Sequence, residues 1–207
     1  MDPFDAAAFE AATGASQAQM ADLEHYRALL DTWNGRINLV GPSAMAAFWR
    51  RHAFDSAQLL RLEPDARVWA DLGTGAGLPG VVLAILLKGV PGAQVHLVES
   101  LLKRCRFLEE VVTALELPAV VHRARAETLK LTGIEVVTAR ACAPLARLLE
   151  YAQPVLRKGV RGLFLKGRDV ESEIADARRI WRFEVALIPS LSDPSGRIVR
   201  VEKLARV

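Results

Sequence analysis

"WADLGTGAGLPG", from Trp69 to Gly80, closes a short apolar run and then packs four glycines, one aspartate and one proline into the next stretch of chain. An apolar strand that ends in a loop almost without side chains, followed at once by the helical texture "VVLAILL", reads as the first β-loop-α unit of an open α/β sheet. Working outward, β-rich runs at 67–71, 94–99, 119–122, 134–139 and 161–166 alternate with helical patterns at 79–88, 101–116 and 144–157, the lengths that parallel crossovers need. A helix over 170–180 follows. Two last runs, 182–188 and 197–204, separated by Pro-Ser and Asp-Pro-Ser-Gly turn signals, predict a closing antiparallel hairpin. Ahead of the sheet, 5–13 and 17–33 read as helices, and a third is expected over 44–60 with Ser43 as its N-cap. Pro64 marks the break. The expected organisation is therefore a helical extension, 1–62, packed on a mostly parallel α/β domain, 63–207.

With 207 residues, half of them hydrophobic and a quarter charged, the chain can bury a core of its own. Its two cysteines, Cys105 and Cys142, and its four histidines show no ligand spacing, so neither a disulfide framework nor a metal is expected. The longest apolar stretch, 78–87, is interrupted by Pro79 and Gly80 and is too short for a bilayer, and the N-terminus carries acids where a secretory signal carries bases. A cytoplasmic protein with no membrane association and no obligate protein partner is the expectation. Residues 1–30 hold five acids against one base, so with a net charge of +3 the basic surplus belongs to the main body. Small clusters recur there: Arg50 with Arg51, Lys103 with Arg104 and Arg106, Arg123 with Arg125, Arg157 with Lys158 and Arg161, and Lys166 with Arg168. Together they could meet a polyanion, although any one of them reads equally as a solvated surface.

Gly75, Gly77 and Gly80 satisfy G-x-G-x-x-G, the dinucleotide fingerprint, in which a pyrophosphate rests on a helix N-terminus. Asp71 argues against a phosphate in that place, because a carboxylate beside it is repulsive. A cationic ligand suits the acid better. S-adenosyl-L-methionine (AdoMet) carries a sulfonium and an ammonium and no phosphate. At the end of the second strand, Glu99 stands where a carboxylate can hold ribose hydroxyls, a feature that both ligand classes would use, while its competing role is that of an acid near a helix start. The two acids tilt the reading toward AdoMet, with an NAD-dependent oxidoreductase and a non-catalytic RNA-binding module as the other classes.

The acceptor should meet the cofactor near "VVTARACAPLARLL" (136–149). No Asn-Pro-Pro-Tyr-like segment is present to grip an exocyclic amine. Cys142 could be the nucleophile of a carbon-5 pyrimidine methylation, against the plainer reading of a small core side chain. Arg140 at the strand end could hold a phosphate or a base edge, or form an ion pair.

Seven motifs then carry a family resemblance: "WNGRINLVG" (33–41), "RHAFDS" (51–56), "DLGTGAGLPG" (71–80), "ESLLKRCRFL" (99–108), "RAETL" (125–129), "TARACAPL" (138–145) and "LFLKG" (163–167). In this order the chain resembles the bacterial small-subunit (16S) ribosomal RNA guanine-N7 methyltransferases, the glucose-inhibited division protein B family. The resemblance implies a Rossmann-like class I AdoMet-dependent methyltransferase fold, a mostly parallel seven-stranded sheet with a C-terminal antiparallel hairpin, with AdoMet as cofactor and 16S ribosomal RNA, free or in a small subunit, as partner. It implies cofactor contacts at Gly73, Gly75, Leu78, Glu99, Ala126, Glu127 and Arg140, to which the charge argument adds Asp71. Asn34, Asn38, Arg51, His52, Asp55, Ser56, Lys103, Arg104 and Lys166 match family motif positions facing the RNA, and of these His52 and Asp55, with Arg140, form the candidate catalytic group. The family tends to have Asp at the place of Glu99 and a bulkier residue near Cys142. Guanine N7 carries a lone pair and no proton, so in-line methyl transfer to it needs no general base and no covalent intermediate, and Asp55 could stabilise the charge arriving on the base. The competing role for Asp55 is an ion pair with Arg51, four residues earlier.

Overall fold

The sheet expected around the glycine loop is present in a computed structural model that describes residues 4–156 and 159–207; the basic pair Arg157 and Lys158 lies outside them. Strands β1 (Val68–Leu72), β2 (Gln94–Glu99), β3 (Ala119–Arg123), β4 (Val136–Arg140) and β5 (Arg161–Lys166) are parallel, and β6 (Trp181–Pro189) and β7 (Arg197–Arg206) close the sheet as an antiparallel hairpin. The order is β3-β2-β1-β4-β5-β7-β6. It reverses direction between β1 and β4, so the loops after these two strands part and leave a crevice at their carboxyl ends.

Alternation along the strands sorts side chains onto two layers. Trp69, Val95, Leu97, Val136, Leu163 and Ile198 point to one face, covered by α4 (Asp55–Leu62), α5 (Gly80–Leu86), α6 (Leu102–Ala114) and the N-terminal helices. Ala70, Leu72, Val98, Val137, Phe164 and Val199 point to the other, covered by α7 (Leu145–Ala152) and α8 (Val170–Ala177). Asp71, between Ala70 and Leu72, therefore faces α5.

The N-terminal helices are set by their caps. Asp5 accepts the Ala8 N–H ahead of α1 (Ala6–Thr13), and Gly14 ends it at φ 69°. Ser16 and Gln19 form a reciprocal capping box for α2 (Gln17–Asn34). The buried face of α2, Met20, Leu23, Tyr26 and Leu30, joins Phe9, Phe48 and Phe107 in the same apolar cluster as the sheet face above.

The long helix expected over 44–60 is instead three pieces, and Ser43 is not its cap. Helix α3 (Pro42–Ala46) starts two residues earlier, after Gly41, because proline lacks the N–H that a first-turn residue leaves unused and its φ is already helical. A π-helical turn, Trp49–Phe54, then leads into α4. Trp49, His52, Ala53 and Phe54 are all buried in this turn.

Candidate functional site

The loop after β1 is held from below. Thr74 N–H donates to the Val98 carbonyl, Gly77 and Leu78 N–H both donate to the Thr74 carbonyl, and Asp71 Oδ2 accepts from Thr74 Oγ1 at 2.5 Å and from Gly80 N–H at 2.8 Å. Gly80 starts α5 against this carboxylate, where a Cβ would lie 2.8 Å from Asp71 Oδ2. Gly73 has φ +64°, and its Cβ would come within 2.5 Å of Cys142 Sγ. Close approach requires glycine at Gly80, and close approach together with a left-handed backbone requires it at Gly73.

The acid chosen as partner of a sulfonium is thus placed differently. Asp71 is completely buried beneath the loop, and burial pushes its carboxyl up to about 7 despite the Thr74 and Gly80 donors. It braces the loop, since the strand's alternation sends it to α5 while the crevice opens at the strand's end.

Two hollows open beside the end of β4. The smaller, about 160 Å³, is lined by Gly73, Glu99, Ala126, Glu127, Cys142 and Tyr151 with their neighbours. Glu99 is buried at its wall; Oε1 accepts the Ser100 and Leu101 N–H groups at 2.7 and 2.8 Å, and Oε2 faces Arg104 at 3.5 Å. Glu99 thus braces the start of α6 and also lines the crevice. Arg104 also reaches over Gly75, 4.0 Å from where a Cβ would stand. Leu78 is buried in the loop's last turn, and Lys103 is exposed beside the rim. The Cys142 thiol is pushed up, first by burial and then by Asp71 and Glu99, so it stands protonated beside Gly73 rather than as a thiolate nucleophile.

The larger hollow, about 790 Å³, is lined by Arg50, Arg51, His52 and Asp55 from the π turn and α4, Arg140 and Ala141 from the end of β4, Lys166 from β5, and Ser190, Ser192, Asp193 and Arg197 from the hairpin turn. Ala141 takes φ +50°, uncommon for a residue with a side chain, and carries the chain from the larger hollow to Cys142 in the smaller. Arg140 organises this wall. Its guanidinium donates to the Arg51 carbonyl at 2.7 Å and to His52 Nδ1 at 3.1 Å, and it pairs with Asp55 Oδ2 at 3.5 Å. Burial and then the Arg140 charge lower His52 to about 4, so the imidazole is neutral and its Nδ1 can accept. Asp55 is raised by burial, against the opposing Ser192 hydrogen bond and the Arg140 charge. Its partner is Arg140, not Arg51, because the π turn leaves Arg51 exposed at the rim.

The remaining expected RNA-facing residues divide. Lys166 lines the larger hollow but is engaged, donating to the Ala143 carbonyl at 2.9 Å and pairing with Glu173 at 2.6 Å. Asn34 spends its amide on the turn that follows α2, accepting from Leu39 and Val40 N–H and donating to the Val40 carbonyl. Ser56 is fully buried and donates to the His52 carbonyl at 2.7 Å. Both are internal ties, while Asn38 is exposed. Three participants escaped the sequence reading. Gln58 Nε2 donates to Asp55 Oδ1 at 3.0 Å and to Ser190 Oγ at 3.1 Å, and its Oε1 accepts the Leu191 N–H. Ser192 Oγ donates to Asp55 Oδ1 at 2.5 Å. Tyr26 reaches the glycine loop from α2. Only a polar residue at a buried helical position could have signalled Gln58 or Tyr26.

Residues 19–198 match the family model described as rRNA small subunit methyltransferase G. The chain is 61% identical over 203 residues to the ribosomal RNA small subunit methyltransferase G of Caulobacter vibrioides (strain NA1000 / CB15N), covering 98% of this chain and 94% of that protein. It is 47% identical to the protein of the same name from Methylorubrum populi, covering 92% and 90% of the two chains. Among solved structures, the O-methyltransferase from Bacillus cereus in complex with SAH shares the fold at a TM-score of 0.59 and 16% identity, covering 88% of this chain and 91% of that one. An AdoMet-dependent methyltransferase from Aquifex aeolicus does so at 0.56 and 14%, covering 87% and 98%. The sheet order, the glycine loop at its reversal point and these matches agree, and the chain belongs to the rRNA small subunit methyltransferase G family, built on the class I AdoMet-dependent methyltransferase fold.

Proposed function

We propose that this protein transfers the methyl group of AdoMet to N7 of a guanine in 16S ribosomal RNA, with the cofactor in the smaller hollow and the guanine entering through the larger. The observation that carries the reading is their adjacency along the chain: Arg140 and Ala141 line one hollow and the next residue, Cys142, lines the other.

The residues around the smaller hollow fit the donor. A backbone cradle at Gly73 and Gly75, a buried carboxylate at Glu99, and Ala126 with Glu127 at the end of the crevice suit an adenosine with its ribose hydroxyls. Leu78 closes the loop. AdoMet held there would supply an electrophilic methyl on a sulfonium, with S-adenosylhomocysteine as the leaving group when the C–S bond breaks, to an N7 lone pair that has no proton to lose.

The chain's own residues then position and compensate. Arg140 fixes the π turn, His52 is held neutral against it, and Asp55 presents a carboxylate toward the positive charge that the guanine acquires. Alignment of reacting groups supplies on the order of 7 kcal/mol or more in favourable cases, which is why a site without a poised base suffices. Arg50, Arg51 and Arg197 at the larger hollow offer sites for RNA phosphates.

The test is mass mapping of N7-methylguanine in small-subunit RNA from cells with and without this protein, joined to methylation of free 16S RNA and of the assembled subunit by the purified enzyme. Appearance of one N7-methylguanine with the protein supports the reading; methylation at another atom, or none in either substrate, refutes it. No helix of the described residues is long and apolar enough to cross a membrane.

A further inference from the structure

Tyr26 lies on the buried face of α2, its ring between Phe48 and Phe107 at centroid distances of 6.0 and 6.5 Å and wholly inaccessible. An aromatic residue there would fill space as well without a hydroxyl. This hydroxyl has a specific partner: it donates to the Ala76 carbonyl at 2.6 Å. Ala76 sits between Gly75 at φ 58° and Gly77 at φ 90°, the part of the loop with the greatest conformational freedom. The loop's own turn passes this carbonyl over, since Gly77 and Leu78 N–H go to the Thr74 carbonyl and Val81 N–H to that of Gly77.

The loop is thus braced from two directions. Asp71 and Thr74 tie its start and end to β1, and Tyr26 ties its apex to the N-terminal helices. Helix α2 is itself pinned along α5: Gln19 Nε2 donates to the Leu86 carbonyl at 2.9 Å, and Asp22 pairs with Lys88 at 2.9 Å. Those ties lie at the far end of α5 from the loop. Burial holds the Tyr26 phenol far above its ordinary range, so it remains a donor at any working pH.

We propose that Tyr26 is a positioning residue of the cofactor site: its hydroxyl, delivered by the N-terminal helices, holds the Ala76 carbonyl and keeps the glycine loop in the shape that receives AdoMet. The inference rests on AdoMet being the ligand of that loop. A hydrogen bond to a flexible apex reduces the conformations the loop must give up on binding, and so acts on cofactor affinity rather than on the methyl transfer itself.

The test is Tyr26→Phe in the full chain, with AdoMet and S-adenosylhomocysteine as calorimetric ligands. Both dissociation constants should rise about tenfold, the scale of one buried hydrogen bond. The KM for AdoMet should rise in step, while kcat at saturating AdoMet and the KM for RNA stay within about twofold. Gln19→Ala, which loosens the same helix away from the loop, should lower the melting temperature and leave AdoMet affinity unchanged. Unaltered affinity in Tyr26→Phe overturns the proposal, and so does an equal loss in Gln19→Ala. Wild-type protein that ignores AdoMet would instead refute the cofactor reading. Should Tyr26→Phe fail to fold, 3-fluorotyrosine labelling keeps the question open to experiment, because the chain has only two tyrosines, Tyr26 and Tyr151. The fluorine resonance of Tyr26, assigned with Tyr151→Phe, should shift on AdoMet binding, and a resonance that does not move overturns the proposal.

Discussion

Arg140 and Asp55 face each other at 3.5 Å, with about a sixth of each side chain exposed, and join the end of β4 to the first turn of α4. The same positive charge adds to burial in keeping His52 neutral and opposes the effect of burial at Asp71.

Removing that cation should cost more than one contact. In Arg140→Ala the Asp55 carboxylate loses its counter-ion and the Arg51 carbonyl its donor, which releases the π turn. Turnover should fall about a hundredfold or more, the scale of a misplaced reacting group. Single-turnover methylation measures it, and Arg140→Lys, which cannot reproduce the three contacts at once, should restore little.

Asp55→Asn should slow turnover while calorimetry finds AdoMet affinity unchanged; turnover at the wild-type rate would remove the charge-compensating role.

Ser192→Ala tests the same carboxylate through pH. Burial raises Asp55, and the Ser192 hydroxyl opposes that rise, so its removal raises the group further. Activity that needs the carboxylate is lost as pH falls through this value. The acidic limb of the rate profile should therefore move to higher pH in Ser192→Ala, while the plateau rate well above it falls little.

Asp71 should govern stability in the opposite sense from an ion-paired acid. Its carboxyl is raised from 3.8 to about 7 in the fold, so between these values the native state holds a proton that the unfolded chain releases. Stability falls as pH rises through this window, and the full penalty is present above about 7. Asp71→Asn keeps an acceptor for Gly80 N–H without the charge. Its melting temperature should vary less than that of the wild type between pH 4 and 7, a difference read by thermal melts across that range.

The contact of Gly73 with Cys142 separates packing from nucleophilic chemistry. Gly73→Ala puts a methyl against the thiol on a left-handed backbone and should abolish AdoMet binding. Cys142→Ala should retain at least half of the wild-type turnover, whereas a covalent mechanism demands complete loss. The double variant should recover part of the binding, because the steric conflict is relieved while the backbone strain remains.

Arg51, exposed at the rim of the larger hollow, should act on RNA without regard to sequence. Arg51→Ala should weaken binding uniformly and reduce the slope of log affinity against log salt by about 1, as loss of one phosphate contact does.

The alternation of apolar runs and helical segments, the glycine loop and the turn-rich closing hairpin were enough to determine the sheet, its parallel sense and the place of the crevice, because these follow from short-range periodicity and turn chemistry. Even the true direction of Asp71 was legible in principle: two residues after Trp69, it shares a face with that buried ring and not with the mouth of the crevice. Tertiary structure decided the partners. Arg140 meets His52 across 88 residues, Gln58 meets Ser190 across 132, and Tyr26 meets Ala76 across 50. No local pattern encodes such pairs, since they exist only once the helices are laid on the sheet and each buried polar atom must find its donor or acceptor there.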